Sequence, residues 1–222
     1  MSSCCPNPTA SETTGKFFSK HSKSYARSFR KGKLEKIQQF LIDTICRQPL
    51  ENKTILDIGS GVGKLHLTLL QRGASFATGI DMSEEMIGYA KKFADKFNVR
   101  EKTFYLLGDF MTKSDSLPSV EITLLDKVIC CYEDLEGLVT SSANKTSMVY
   151  ALTYPADNPL MKFWFKSEIA IATLFRTGFR PYWHNWKRVP ELLSRCGFTL
   201  VSSHSTLIWQ GQVYERTTNH QH

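Results

Sequence analysis

From residue 54 onward the chain alternates short apolar runs with amphipathic stretches, and this rhythm limits the fold more than any other feature. TILDIG reads as a buried strand and KLHLTLLQRG as a helix stopped by Gly73. SFATGID is a second strand. SEEMIGYAKKFADKF is a helix with Ser83 as N-cap and acids in its first turn, which suits the helix dipole. KTFYLLGDF, VEITLLD and TSMVYALTYP are the third, fourth and fifth strands, with DLEGLVTSSA a helix before the last of these. Strands and helices in this order predict a parallel sheet covered on both faces. After the helix ELLSRCG, the runs FTLVSS and TLIWQGQVYE have no helix between them and predict an antiparallel pair at the sheet edge. The expected fold class is α/β: one Rossmann-like doubly wound sheet, mostly parallel, with an N-terminal helical cap.

At 222 residues the chain has room for one domain with a sizeable core. Residues 1–16 read as a polar, disordered tail and 17–222 as the domain. Within it, residues 17–48 form cap helices and residues 158–186 an aromatic, partly basic, lid-like insertion. LEKIQQFLIDTI places Leu34, Ile37, Leu41 and Ile45 at helical spacing. No apolar run reaches the roughly 18 residues a membrane span needs, since Lys166 and Glu168 break the nearest candidate. Adjacent cysteine pairs and the lack of an apolar leader point to a reducing, cytoplasmic setting. The Ser-, Thr-, Lys- and Arg-rich N-terminus also has the composition of an organelle transit peptide, but the cap is the preferred use of its basic part.

ILDIGSGVGKL, residues 55–65, sets glycines at 59, 61 and 63 directly behind an apolar run holding Asp57. Such a turn lets backbone approach a ligand, and ligands collect beyond the carboxyl ends of parallel strands. A dinucleotide fingerprint needs a glycine where Lys64 stands. A phosphate loop needs Ser or Thr where Leu65 stands. Both phosphate readings fail.

The Asp57-x-Gly59-x-Gly61-x-Gly63 arrangement resembles the class I S-adenosylmethionine (SAM) dependent methyltransferases. The resemblance extends, in outline, over residues 17–214: Asp81 ends the second strand in GIDMSEEMI, LLGDF ends the third, and ITLLDKVICCYEDLEGLV is similar to the fourth strand, its loop and helix. It implies SAM as cofactor, with Asp57 and Gly59, Gly61 and Gly63 near the methionine end and Asp81 accepting from the ribose hydroxyls. Asp109 would accept from the adenine amino group, Met82 and Phe110 sandwich the ring, and Tyr25 cover the cofactor. No metal is implied. The end of the fourth strand would face the transferred methyl, which makes Asp126 a base or a substrate anchor; a loop acid paired with Lys127 is an equal alternative. His184 and Tyr154 are further catalytic candidates. Cys130, Cys131 and Tyr132 depart from the Glu-His-Val of related small-molecule enzymes, which argues against a histidine mechanism at that position.

The CYEDLEGLV loop, the aromatic segment and the closing strand pair resemble the magnesium-protoporphyrin methyltransferase group. That likeness implies a small acidic or flat aromatic acceptor and favours O-methylation. Arg176, Arg180, Lys187 and Arg188 are candidates for an acidic group. The net charge of +7, with eight basic residues between 16 and 36 and Glu35 the single acid there, also fits a nucleic-acid methyltransferase. Asp126-Lys127-Val128-Ile129 lacks the Asn/Asp-Pro-Pro-aromatic stretch of amino methylation, however. Two further alternatives are a metalloid or thiol methyltransferase using Cys4-Cys5 and Cys130-Cys131, and a non-catalytic SAM-binding protein.

Overall fold

A computed structural model describes residues 10–174 and 181–217. Seven strands form one sheet: β1 (Thr54–Ile58), β2 (Phe76–Asp81), β3 (Thr103–Leu107), β4 (Val120–Asp126), β5 (Thr146–Pro155), β6 (Phe198–Ser205) and β7 (Trp209–Arg216). Their spatial order is β3-β2-β1-β4-β5-β7-β6. The first five are parallel, while β7 runs antiparallel between β5 and β6. The helices are α1 (Ala10–Phe29), α2 (Lys36–Ile45), α3 (Lys64–Gln71), α4 (Glu84–Lys96), the single turn α5 (Phe110–Lys113), α6 (Leu135–Asn144), α7 (Pro159–Leu174) and α8 (Arg188–Arg195). No described helix is long and apolar enough to cross a membrane.

Strand alternation divides the core. Ile55, Ile122 and Leu124 face a cluster built with α1 to α4. Leu56, Ile58 and Leu125 face the opposite cluster, which holds residues of α6, α7 and α8. Burial on both faces explains why these strands read as continuous apolar runs.

The expected sheet, including its antiparallel edge, is the observed one. Two details differ. α1 begins at Ala10, inside the stretch 1–16 read as the tail; the cap helices α1 and α2 are parted at Gly32, which has φ of 68°. The insertion also contains the helix α7, whose apolar outer face gives it no amphipathic pattern to find in the sequence.

β1 and β4 are neighbours, yet β1 continues by α3 toward β2 and β4 continues by α6 toward β5. A crevice opens where strand order reverses in this way.

Arg216, at the end of β7, ties the far edge of the sheet together. Its guanidinium donates to the carbonyls of Thr146 (3.0 Å), Ala143 (3.1 Å) and Cys196 (3.2 Å) and lies 4.5 Å from the Phe198 ring centre. Those carbonyls belong to the C-terminal ends of α6 and α8 and to the start of β5, where helices leave acceptors unpaired. Arg216→Ala should lower unfolding stability by about 2–3 kcal/mol, since several partly buried acceptors lose a charged donor together. Denaturant titration checks this, with an unchanged midpoint as the contrary result.

Candidate active site

The turn that leaves β1 is fixed by backbone bonds. Ser60 N donates to Ile80 O at 3.0 Å, and Gly63 N to Ser60 O at 2.9 Å. Gly59, Gly61 and Gly63 have φ of 64°, 53° and 86°, the left-handed region that a Cβ disfavours. Their surroundings differ. A Cβ on Gly59 would lie 2.5 Å from Val128 Cγ2, and one on Gly63 would strike Leu67 and His66. A Cβ on Gly61 would meet nothing within 4 Å, and Gly61 lines an open cleft. Gly59 and Gly61 line that cleft. Gly63 does not: it is the N-cap residue of α3.

The cleft is walled by the carboxyl ends of β1, β2, β3 and β4. It brings together Tyr25, Asp57, Gly59, Gly61, Asp81, Met82, Phe110 and Asp126 of the expected residues. Asp81 Oδ2 accepts from Gly61 N and its Oδ1 from Ser83 N, each at 2.8 Å. Burial pushes its carboxyl up to about 6, against the pull of those backbone donors. Ser60 lines the cleft, but its hydroxyl is buried toward Gly79 of β2, without a hydrogen-bond partner among the described residues.

Asp57 does not stand alone. Its Oδ2 accepts from His66 Nδ1 at 2.6 Å, and His66 Nε2 lies 3.0 Å from the Tyr105 hydroxyl. With Nδ1–H donated to the carboxylate, Nε2 accepts from the phenol, and all three groups are satisfied. Burial raises the Asp57 carboxyl above its ordinary value while the His66 bond opposes it. His66 is fully buried, so this chain fixes the floor of the cleft.

The opposite wall is the exit of β4. Gln38 Nε2 and Thr153 Oγ1 donate to the two oxygens of Asp126, both at 2.6 Å. Lys127 follows with φ of 62°, strained for a residue with a Cβ, and its amide donates to Thr153 Oγ1. The expected pairing of Asp126 with Lys127 is not what forms. Lys127 Nζ reaches Glu35 at 2.7 Å, and Lys64 Nζ lies 3.9 Å from the same carboxylate. Burial lowers the Lys64 ammonium, and Glu35 partly restores it. Tyr25, pushed up to about 12 by burial and then by nearby thiols and carboxylates, remains a phenol. Cys131 also lines the cleft. Contact with Cys130, then burial, holds its thiol well above the ordinary value.

Besides Gly63, three expected residues stand elsewhere. Asp109 caps α5 through Met111 N (2.9 Å) and accepts from the Tyr132 hydroxyl (2.9 Å), behind the lining residue Phe110. Tyr154 is buried against Trp186 with ring centres 5.3 Å apart, because its position on β5 points into the lower core. His184 is within 2.8 Å of the Tyr132 carbonyl and packs on Trp186; it braces the loop after β4 instead of entering the cleft. Arg188 pairs with Glu136 at 2.9 Å. Arg176, Arg180, Cys4 and Cys5 lie outside the described residues. From α1, Thr14 and Phe18 join Tyr25 over the cleft, and Gly15 sits where any Cβ would strike Met82 O at 2.5 Å. Gln38, Ser60, Lys64, His66 and Thr153 were not among the residues expected from sequence. Only His66, set between Leu65 and Leu67 in the largely apolar run KLHLTLL, carries a local hint.

Residues 49–196 match the model of a methyltransferase domain family, and the chain belongs to that family. It is 28% identical over 155 residues to a ubiquinone biosynthesis O-methyltransferase of Neisseria meningitidis serogroup C (strain 053442). That match covers 66% of this chain and 62% of the relative. The fold is shared with magnesium protoporphyrin IX methyltransferase from Synechocystis PCC 6803, solved with bound SAH: TM-score 0.71, 19% identity, 94% of this chain and 100% of the other. It is shared too with an O-methyltransferase family 2 protein from Planctomyces limnophilus DSM 3776 in complex with apigenin: TM-score 0.64, 16% identity, 97% and 63% covered.

Asp81 holds its proton to higher pH in the folded chain than in the unfolded one. Its contribution therefore weakens folding as pH rises from the ordinary 3.8 to about 6, and is constant above that. Asp81→Asn should remove this slope from thermal melts of the ligand-free protein between pH 4 and 7. A slope identical in the variant would reject the assignment.

Proposed function

We propose that the protein is a SAM-dependent methyltransferase acting on a small-molecule acceptor, with oxygen as the favoured methyl acceptor. The observation that carries this reading is the joining, in one cleft, of an acceptor-only carboxylate at the end of β2 with a glycine-floored turn and a second carboxylate at the end of β4. The residues fit SAM. Asp81 has acceptor capacity left for a diol, Gly61 leaves the space of a side chain open, and Met82 and Phe110 supply apolar surface.

When bound, SAM supplies a methyl group already activated on a sulfonium, so the protein's own task is alignment and exclusion of water. Asp126 is fixed by Gln38 and Thr153, which keeps a carboxylate in place to orient an acceptor hydroxyl or take its proton. Lys64 and Lys127 share the carboxylate of Glu35 at the mouth, and an acidic group on the acceptor competes with Glu35 for them. Tyr25, Val128 and Tyr132 offer faces for a flat ring. These features support an acidic or flat aromatic acceptor. The O-methyltransferase name of the Neisseria relative supports the favoured atom.

Calorimetric titration with SAM and its demethylated product tests the reading. Micromolar binding is expected. Asp81→Ala should weaken it by about 100-fold, the loss of two charge-assisted hydrogen bonds. Affinity for the unsubstituted protein should also fall as pH drops below about 6 and Asp81 gains its proton. A screen of aromatic acids and phenols with methyl-labelled SAM then finds the acceptor. Folded protein that does not bind SAM at all would sink the proposal.

A further inference from the structure

A file of polar side chains, Asp57, His66 and Tyr105, crosses a core layer that is otherwise rich in leucine. His66 stands between Leu65 and Leu67 on α3, and Leu65, Leu67, Leu69 and Leu70 all belong to that core. Its side chain is fully buried, and only 4% of the Asp57 side chain is exposed. Taking a carboxylate and an imidazole out of water is costly, and well-packed apolar residues of similar volume are often as stable or more so. Stability of the fold therefore does not account for the pair.

The backbone is shaped around this file. A Cβ on Gly63 would lie 3.1 Å from His66 Cε1 and Nε2, and one on Gly79, within β2, would lie 3.1 Å from Tyr105 Cδ1. Glycine inside a strand weakens it and marks a close approach. Here it gives room to the ring of Tyr105, its register partner on the edge strand β3, whose hydroxyl lies 3.0 Å from His66 Nε2. Burial raises the Tyr105 phenol above its ordinary value, so it stays a donor. With Nε2 accepting from the phenol, the ring proton is left on Nδ1, where Asp57 receives it at 2.6 Å. The third glycine of the turn, which does not line the cleft, thus clears space for the imidazole that holds the first aspartate.

Asp57 is where the file meets the cleft. Burial raises its carboxyl, and the His66 hydrogen bond is the strongest influence against that rise. The apolar surfaces offered to an adenine ring, Met82 and Phe110, follow β2 and β3, so the charged end of SAM extends toward the ends of β1 and β4, where Asp57 and Asp126 stand. We propose that His66, braced by Tyr105, is a positioning residue for the cationic methionine end of the cofactor: it holds Asp57 as an oriented carboxylate and so sets the affinity for that end alone. The inference rests on the SAM reading and adds to it a residue that acts only through Asp57.

Calorimetric titration with two ligands tests it. SAM carries the charged end; methylthioadenosine shares the adenosine and the sulfur but has no amino-acid end and no charge. His66→Leu should weaken SAM by about ten-fold or more, the scale of one charge-assisted hydrogen bond, and change methylthioadenosine by less than about two-fold. His66→Asn, which keeps an N–H near the place of Nδ1, should recover most of the loss. In an Asp57→Asn background, His66→Leu should no longer matter to SAM, because the carboxylate it acts through is gone. Tyr105→Phe, a milder change that serves if His66→Leu does not fold, should weaken SAM alone by about three-fold, the scale of one neutral hydrogen bond. Equal loss of both ligands would mean a merely structural role and overturn the proposal. So would SAM bound by the variants as tightly as by the unsubstituted chain. Unsubstituted protein that binds neither ligand would sink the SAM reading itself and this inference with it, an outcome distinct from the other two.

Discussion

The arrangement at the carboxyl end of the sheet depends on one backbone turn. Between Ile58 and Lys64 the chain must leave a buried strand, reverse its φ three times and start a helix, while its amides bond Ile80 and Asp81 on the next strand. That stitching sets the distance between the ends of β1 and β2, and thereby the width of the cleft. Gly59 also sets how closely the loop after β4 approaches, since only hydrogen stands between it and Val128. A residue with a Cβ here would push the two walls apart before any ligand arrived.

The two carboxylates beside that turn are stabilised differently. Asp57 is sealed beneath the floor with His66 and Tyr105, a closed chain of hydrogen bonds in a region with no solvent to relax it. Asp81 has only backbone donors, and burial dominates its titration. Asp126 sits at the mouth and takes a donor on each oxygen from elements distant in sequence. The positive charges are kept to the rim, where Lys64 and Lys127 share Glu35. The cleft thus has buried carboxylates at its floor and a mouth where Asp126 and Glu35 stand beside Lys64 and Lys127.

The sheet and its glycine turn were legible because each rests on local constraints. Buried parallel strands need unbroken apolar runs, helix starts need Ser83 or Asp134, and left-handed backbone needs glycine. Asp57, Asp81 and Asp126 were legible because strand ends are legible. What could not be read was pairing at a distance. Gln38 finds Asp126 across 88 positions, and Tyr132 draws Asp109 into a cap-side bond. Lys127 looked like the natural partner of its neighbour Asp126, but its left-handed φ turns it toward Glu35. Tyr154 and His184 were placed by nearness to strand ends; the direction of each side chain, set by pleat and loop packing, sends both to Trp186. Gly63 fits the spacing of the turn yet serves the helix behind it.

The placement of β7 imposes an order of assembly. β6 is made first but bonds only to β7, and β7 alone connects it to β5. During synthesis β6 leaves the ribosome with both edges unpaired and waits for the next dozen residues before it can join the sheet, an interval in which exposed strand edges invite association with other chains. The cleft lining, drawn from residues 14 to 132, is complete well before that. The growing chain can therefore assemble its ligand-holding half early, and closes its outer edge only when Arg216 arrives to fasten the ends of two helices and a strand.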